Sequence, residues 1–294
     1  MNIRFGPSGN SESFYEEGYK SSLDMPKWLR NKGLNAYEYS CTKGVRIKET
    51  TARNIGERAK KNNIFLSIHA PYYINLANPD EQKRENSKKY IMDTLLAAEW
   101  MGAQRIVFHP GSVGKLDREK AFEIAFNTFE EIIDYVYKKQ LKDVILCPET
   151  MGKRNQLGTL EEILKLCKLD DKILPTIDFG HLYARNRGNL KRKKDFQDII
   201  DIIEEQLGQE RTRKIHIHFS RIEFTLAGEK KHWTYADSQF GPNFDPLAEV
   251  LVERNMTPVI ICESRGTMAE DALIFKKIYE EAYFKQKLEK YAIK

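Results

Sequence analysis

The chain has 294 residues, 41% of them apolar and 31% charged, with a formal net charge of +5. That length and apolar content support a full core and fit one α/β barrel of about 250 residues with extensions. No apolar run approaches the roughly 20 residues that cross a bilayer, and the start, MNIRFGPSG, lacks a signal-peptide core. A soluble, cytoplasmic protein without a membrane partner is expected. The four cysteines (Cys41, Cys147, Cys167, Cys262) form no C-x-x-C pair, which argues for buried residues in a reducing compartment rather than a disulfide framework.

Asn2–Phe5 reads as a short strand that exits into the turn Gly6-Pro7-Ser8-Gly9, and Glu12–Lys32 as a helix with Ser11 or Ser13 as its cap. Ala36–Tyr39 is a second strand, followed by a loop with Lys43 and Arg46 and the helix Thr50–Asn62. FLSIH ends at His69 and leads through Ala70-Pro71-Tyr72-Tyr73 to the long helix Asp80–Met101. RIVFH ends at His109 before the helix Asp117–Lys139. VILCPE ends at Glu149; the loop Gly152-Lys153-Arg154-Asn155 and the helix Leu160–Leu169 follow. ILPTID ends at Asp178, three residues before His181. The basic segment Arg185–Lys194 reads as loop and Phe196–Leu207 as helix. KIHIHF carries His216 and His218. A long excursion, Ser220–Asn243, holds Arg221, Glu229 and His232 and precedes the helix Pro246–Asn255. PVIICE ends at Glu263, and a helix runs from Ala269 to the end.

Eight strand–helix repeats imply a parallel sheet closed into a single (β/α)8 barrel. No linker or composition break interrupts them, so residues 1–294 read as one domain. In such barrels the site lies at the C-terminal ends of the strands. Six of the apolar runs end there in a residue type that binds divalent metals. Side chains alternate with period two, so His69 shares a face with Ser67 and Phe65, Asp178 with Thr176, and Glu263 with Ile261. Each terminal residue can therefore point into the barrel mouth.

The candidate metal ligands are His69, His109, Glu149, Asp178, His181, His218, His232 and Glu263, with Glu229 three residues before His232. Imidazole with carboxylate suits zinc, and the set exceeds what one ion needs. Two or three ions sharing a bridging carboxylate could activate a water and stabilise both oxygens of a phosphodiester displacement. Three zinc ions against Glu149, Asp178, Glu263 and Glu229 leave a net positive mouth, suited to phosphate. His216 lies on the same face as His218 but deeper, so it reads as an interior or ligand-supporting residue.

These residues resemble the endonuclease IV type of apurinic/apyrimidinic endonuclease, within the xylose-isomerase-like barrels. The matching motifs span nearly the whole chain in the family's order. They are His69 followed by Tyr72 and INL, FHPGS at His109, PET from Pro148 with Gly152 and Leu157-Gly158, D-x-x-H at Asp178–His181, and ICES at Glu263. The resemblance implies three zinc ions (Zn2+), with Mn2+ an option at one site. His69, His109 and Glu149 would hold the first ion. Glu149, Asp178, His218 and Glu263 would hold the second, and His181 and His232 with a nearby carboxylate the third. It further implies a monomer that cleaves double-stranded DNA 5′ to abasic sites by metal-activated water, leaving a 3′-hydroxyl, with Glu263 and Glu149 as catalytic carboxylates.

Two positions depart from the family pattern. The acid of the third set, normally D-x-H, becomes Glu229-x-x-His232, with Lys230 two residues before the histidine. After the seventh strand His-x-Asn-Asp becomes His218-Phe219-Ser220-Arg221. Tyr72 and Tyr73 read as aromatic wedges for the gap left by a flipped nucleotide. Arg46, Arg185 and Arg221, with Lys43, Lys153, Arg154 and Arg187, read as phosphate contacts. The competing reading is a sugar isomerase or epimerase with one manganese or cobalt ion on Glu149, Asp178, His218 and Glu263. For one ion, however, His69, His109, His181 and His232 are superfluous.

Overall fold

Eight short parallel strands close into a barrel wrapped by helices. A computed structural model of the chain describes residues 3–141 and 143–292. In chain order the elements are β1 (Arg4–Pro7), α1 (Glu12–Glu16), α2 (Met25–Lys32), β2 (Ala36–Ser40), α3 (Glu49–Asn62), β3 (Phe65–His69) and α4 (Glu81–Met101). Then come β4 (Arg105–Phe108), α5 (Arg118–Lys138), β5 (Ile145–Pro148), α6 (Leu160–Cys167), β6 (Thr176–Asp178), α7 (Phe179–Arg185), α8 (Lys193–Leu207) and α9 (Gln209–Thr212). The chain ends with β7 (His216–Phe219), β8 (Arg221–Thr225), β9 (Gly228–Trp233), α10 (Asp245–Glu253), β10 (Val259–Cys262) and α11 (Met268–Ala292).

The barrel wall is two parallel runs, β1–β10–β7–β6 and β2–β3–β4–β5. They join at two narrow seams. Between β1 and β2, Ser8 bridges Glu38, and Asn35 N donates to Phe5 O at 3.1 Å. Between β5 and β6, Glu149 bridges Thr176, and Thr150 N donates to Thr176 O at 3.0 Å.

Period-two alternation sorts the strand residues into two environments. Outward residues such as Phe5, Leu66, Ile106, Leu146, Ile177, Ile217 and Ile260 join the main core beneath the helices. Inward residues form two small apolar clusters, Ala36/Val259/Ile261 and Val107/Cys147/Leu174. Glu38, Ser67, Thr176 and His216 are also buried inside. Local signals fix the helix ends: Asp117 accepts from Glu119 N and Lys120 N, and Thr159 with Glu162 forms a capping box.

The structure departs from the sequence expectations in four places. First, Glu12–Lys32 is two helices rather than one. The chain turns through Gly18 at φ +89° and restarts at Ser21, whose hydroxyl accepts from Leu23 N ahead of Pro26. Second, the opening strand is Arg4–Pro7, so Gly6 and Pro7 belong to it; Asn2 lies outside the described residues. Third, Arg185 ends a helix started by Asp178, and Lys193 already begins α8, so only the middle of 185–194 is loop. Fourth, the 220–243 excursion contains the antiparallel hairpin β8–β9. The last helix is described to Ala292; residues 293–294 lie outside. Among the described residues no helix is long and apolar enough to cross a membrane.

Gly6 sits on the β1–β2 seam, where a Cβ would lie 1.9 Å from the Ala36 carbonyl oxygen. Backbone cannot yield there as a side chain could. Gly6→Ala is therefore expected to destabilise the fold by at least about 1–3 kcal/mol, read as a lower urea midpoint at unchanged slope. A wild-type midpoint would show that the seam tolerates separation.

Candidate metal centre

Glu149 follows β5 and is completely buried. Its Oε2 lies 3.3 Å from His69 Nε2, at the end of β3, and 3.1 Å from His109 Nε2, just past β4. Its Oε1 lies 3.1 Å from His218 Nδ1 on β7 and 3.5 Å from His181 Nδ1 on α7. One carboxylate thus faces four imidazoles from four elements. Glu263, just past β10, brings Oε1 to 3.4 Å from the same His218 Nδ1.

Asp178 does two things at once. Its Oδ1 accepts from His181 N at 2.6 Å and so starts α7, which turns the His181 ring back over the site. Its Oδ2 is buried with no hydrogen-bond partner. A buried carboxylate oxygen without a donor is costly unless a cation meets it.

The ring nitrogens add to that argument. His69 Nδ1 lies 2.8 Å from Ala70 O, and His181 Nδ1 lies 2.9 Å from Thr150 O. A carbonyl only accepts, so both Nδ1 atoms carry a proton, and each Nε2 lone pair is left for a metal ion or, in the metal-free protein, a second proton. Those lone pairs face carboxylate oxygens of Glu149 and Glu229, each at 3.3 Å. Two acceptors approach that closely only with a cation, a proton or a metal, between them. The donor set therefore fits divalent metal ions.

Of four groups of donor atoms that fall within 4.8 Å of one another among the described residues, three gather at the strand ends: His69/His109/Glu149, Glu149/Asp178/His218/Glu263 and His181/His232/Glu263. Glu149 and Glu263 each serve two groups. Glu229 also reaches the third group, with Oε2 at 3.3 Å from His181 Nε2 and Oε1 at 3.6 Å from His232 Nε2. It meets the two rings with different oxygens, whereas one Glu263 oxygen converges with both. Glu263 and Glu229 are therefore both candidate carboxylate donors beside His181 and His232.

The hairpin explains how E-x-x-H reaches the site. In a regular strand residues three apart face opposite ways. On β9, Glu229 pairs with Phe224 and Lys231 with Glu223, so Lys230 is an extra, unpaired residue at a bulge. That insertion restores Glu229 and His232 to one face. Gly152 makes room beside them: a Cβ there would lie 2.6 Å from Glu229 Cβ.

Protonation of the metal-free site follows the same charges. Burial would raise Glu149, but His218 and His109 hold it well below the usual carboxylate range. Burial pushes Asp178 up to about 6 against the pull of His181, with the Glu263 and Glu149 charges adding to the rise. Burial would lower His181, but Asp178, Glu229 and Glu149 raise it to about 9. Burial would raise Glu229, but His181 and His232 lower it to about 2.

Of the residues expected to meet DNA, Tyr72 is exposed and stacks on His109, ring centroids 5.1 Å apart, and makes a T-shaped contact with His69. Tyr73 is exposed beside Tyr90, and Arg46, Lys43, Lys153, Arg154 and Arg187 are also exposed. Two arginines are corrected. Arg221 is buried, donating to Phe240 O at 3.1 Å and Asn243 Oδ1 at 3.0 Å with its guanidinium over Tyr235. Arg185 donates to Met151 O at 3.0 Å and Lys153 O at 2.9 Å. Both are engaged with loop groups, and Arg185 is half-buried. Glu38 was missed by sequence reasoning. It lies mid-strand in AYEYS, and its one signal is a carboxylate at an inward barrel position.

A closed β/α barrel with imidazoles and carboxylates gathered at its strand ends defines a barrel protein with a candidate metal centre. The sequence profile of the xylose isomerase-like TIM barrel family matches residues 26–282, and the chain belongs to that family. It is 37% identical over 253 residues to an uncharacterized protein of Methanocaldococcus jannaschii, covering 86% of this chain and 90% of that one. It is 29% identical over 216 residues to a probable endonuclease 4 of Methanosphaera stadtmanae, covering 68% and 76%. The crystal structure of endonuclease IV from Thermus thermophilus superposes with TM-score 0.65 at 19% identity, over 96% of this chain and 99% of that one. A D-tagatose 3-epimerase-like protein superposes with TM-score 0.68 at 20% identity, over 98% and 99%. At those identities the two structures establish the barrel alone.

The charge arrangement gives a pH signature. His181, raised to about 9 from its ordinary 6.5, contributes stability that is complete below 6.5 and lost as pH rises through 9. Glu229, lowered to about 2 from 4.5, contributes above 4.5 and loses that as pH falls through 2. Chelator-treated protein is expected to lose thermal stability between pH 6.5 and 9, while zinc-loaded protein keeps it because the ion replaces the proton. Parallel loss in both samples would mean that no metal sits between these groups.

Proposed function

We propose that this chain is a single-domain, zinc-dependent DNA repair endonuclease that cleaves the phosphodiester 5′ to abasic sites and leaves a 3′-hydroxyl. The observation that carries the reading is Glu149, whose Oε2 faces His69 and His109 while its Oε1 faces His218 and His181. That is the arrangement of a carboxylate shared between two ions. The relationship to a probable endonuclease 4 along most of both chains supports it.

His69, His109 and Glu149 would hold one ion, and Glu149, Asp178, His218 and Glu263 a second. His181, His232 and Glu263, with Glu229 alongside, would hold a third. Bound divalent ions would supply Lewis-acid stabilisation of the attacking and leaving oxygens and a water of lowered pKa. Glu263 is the one shared carboxylate with solvent access, so it orients the attacking water and accepts its proton. Glu149 is sealed from solvent and acts as the bridge. Tyr72 offers its exposed face above His109 to the damaged nucleotide or to the gap that it leaves. Arg46, Lys153, Arg154 and Arg187 offer charge to flanking phosphates.

One observation favours a second reading, a sugar epimerase. Glu149, Asp178, His218 and Glu263 converge within 4.8 Å by themselves and would hold a single ion. That reading leaves His69, His109, His181 and His232 without a task.

The test is incision of a labelled duplex carrying one abasic analogue, with bound metal counted by mass spectrometry. A nick 5′ to the lesion with about two to three zinc ions per chain is expected. No nick, with one manganese or cobalt ion per chain, would shift the assignment to sugar chemistry. Glu263→Gln is expected to slow incision about 100-fold or more with an unchanged unfolding midpoint of the metal-free protein. Wild-type incision by that variant would remove Glu263 from the chemistry.

A further inference from the structure

Beneath the metal centre, the barrel interior holds a line of polar side chains that none of the proposed chemistry uses. Glu38 on β2 is fully buried, with Oε1 2.9 Å from His218 Nε2 and Oε2 3.0 Å from His216 Nε2. Ser67 Oγ on β3 donates to the same Oε2 at 2.8 Å. His216 Nδ1 lies 3.4 Å from Arg105 Nη1, and Arg105 Nη2 donates to Lys214 O at 2.7 Å. The line runs from the first residue of β4, through β7 and β2, to a metal-facing histidine.

Donor and acceptor roles along it follow from one end. A guanidinium only donates, so His216 Nδ1 accepts and His216 Nε2 carries the proton. That N–H donates to Glu38 Oε2. Glu38 Oε1 is then left facing His218 Nε2. The 2.9 Å approach is close but off the line of a hydrogen bond, so charge and proximity hold the ring rather than an ideally directed bond. A carboxylate there favours the proton on His218 Nε2. The lone pair is thereby placed on Nδ1, which points at Glu149 and Glu263 at 3.1 and 3.4 Å.

We propose that Glu38 is a positioning residue: held from below by Ser67, His216 and Arg105, it fixes the tautomer and orientation of His218 and makes Nδ1 its metal donor. The inference rests on the metal-centre reading above. The donor atoms of Glu38, His216 and His218 also lie within 4.8 Å of one another, as a separate ion site would require. To serve that ion and the central one, His218 would have to ligate through both nitrogens, which a neutral imidazole cannot do. The three residues therefore support the centre rather than form another.

Zinc and cobalt affinity of Glu38→Gln provides the test, alongside the unfolding midpoint of the metal-free proteins. Loss of about 10–100-fold in affinity is expected, with a changed visible spectrum of the cobalt-loaded protein and a wild-type metal-free midpoint. His216→Gln, whose amide N–H can still donate to Glu38 beside His218, is expected to stay within about threefold of wild type. Wild-type affinity and spectrum in Glu38→Gln would overturn the inference alone. An equal loss in His216→Gln would assign the effect to interior packing and overturn it too. A wild-type chain that binds neither ion would instead overturn the metal reading beneath it. Should Glu38→Gln fail to fold, nitrogen–proton correlation of the histidine rings in zinc-loaded wild type decides. A proton on His218 Nε2 is the expected result, and one on Nδ1 overturns the inference.

Discussion

A carboxylate sealed inside a protein and surrounded by imidazoles is tolerable only with cations in the gaps, and Glu149 imposes that condition on the whole strand-end face. Its four imidazole contacts come from β3, from β7, from α7 and from the residue after β4. No two neighbouring strands could supply them. A closed barrel can, because its strands all end around one axis. The barrel seams matter for the same reason. Glu149 itself bridges Thr176 across the β5–β6 seam, so the residue that organises the site also belongs to the wall.

The third donor group depends on a different device. His181 arrives because Asp178 caps the short helix that carries it, which couples a metal-facing carboxylate to the placement of its neighbour. His232 and Glu229 arrive on a hairpin outside the barrel. There one inserted residue, Lys230, rotates the strand so that residues three apart share a face. The bulge puts on one face two residues that a regular strand would point in opposite directions. Arg221 and Arg185 hold the two loops beside this hairpin by backbone carbonyls. Basic side chains that look like phosphate contacts in sequence thus work as internal struts.

Which features the sequence reveals follows from the range of the forces involved. Strand-end candidate ligands such as His69, Asp178 and Glu263 are legible because period-two alternation and chain order place them without knowledge of packing. Family membership follows from the same spaced motifs. The break at Gly18 and the hairpin at 221–233 are less legible, since a left-handed turn and an antiparallel pair depend on neighbours distant in sequence. Arginine direction is hidden for a related reason: a long side chain goes where acceptors are, and the carbonyls that take Arg221 lie in a loop of no regular pattern. Glu38 is hidden because mid-strand polarity looks like an exposed edge until the barrel closes over it.

That closure carries a stability consequence. Barrel interiors of this class are usually filled by branched apolar layers. Here the apolar interior is reduced to two small clusters, and Arg105, His216, Glu38 and Ser67 occupy space between them. Burying such groups costs several kcal/mol each unless every one is satisfied. The line satisfies most of them internally and leaves His218 Nε2 and Glu38 Oε1 imperfectly matched at its top. Packing between strands and helices, where the main core lies, must therefore supply most of the fold's stability. The interior is organised instead around the site. Its residual mismatch sits directly under the ring that faces Glu149, where a metal ion drawing on Nδ1 would strengthen the Nε2–H donor and relieve it.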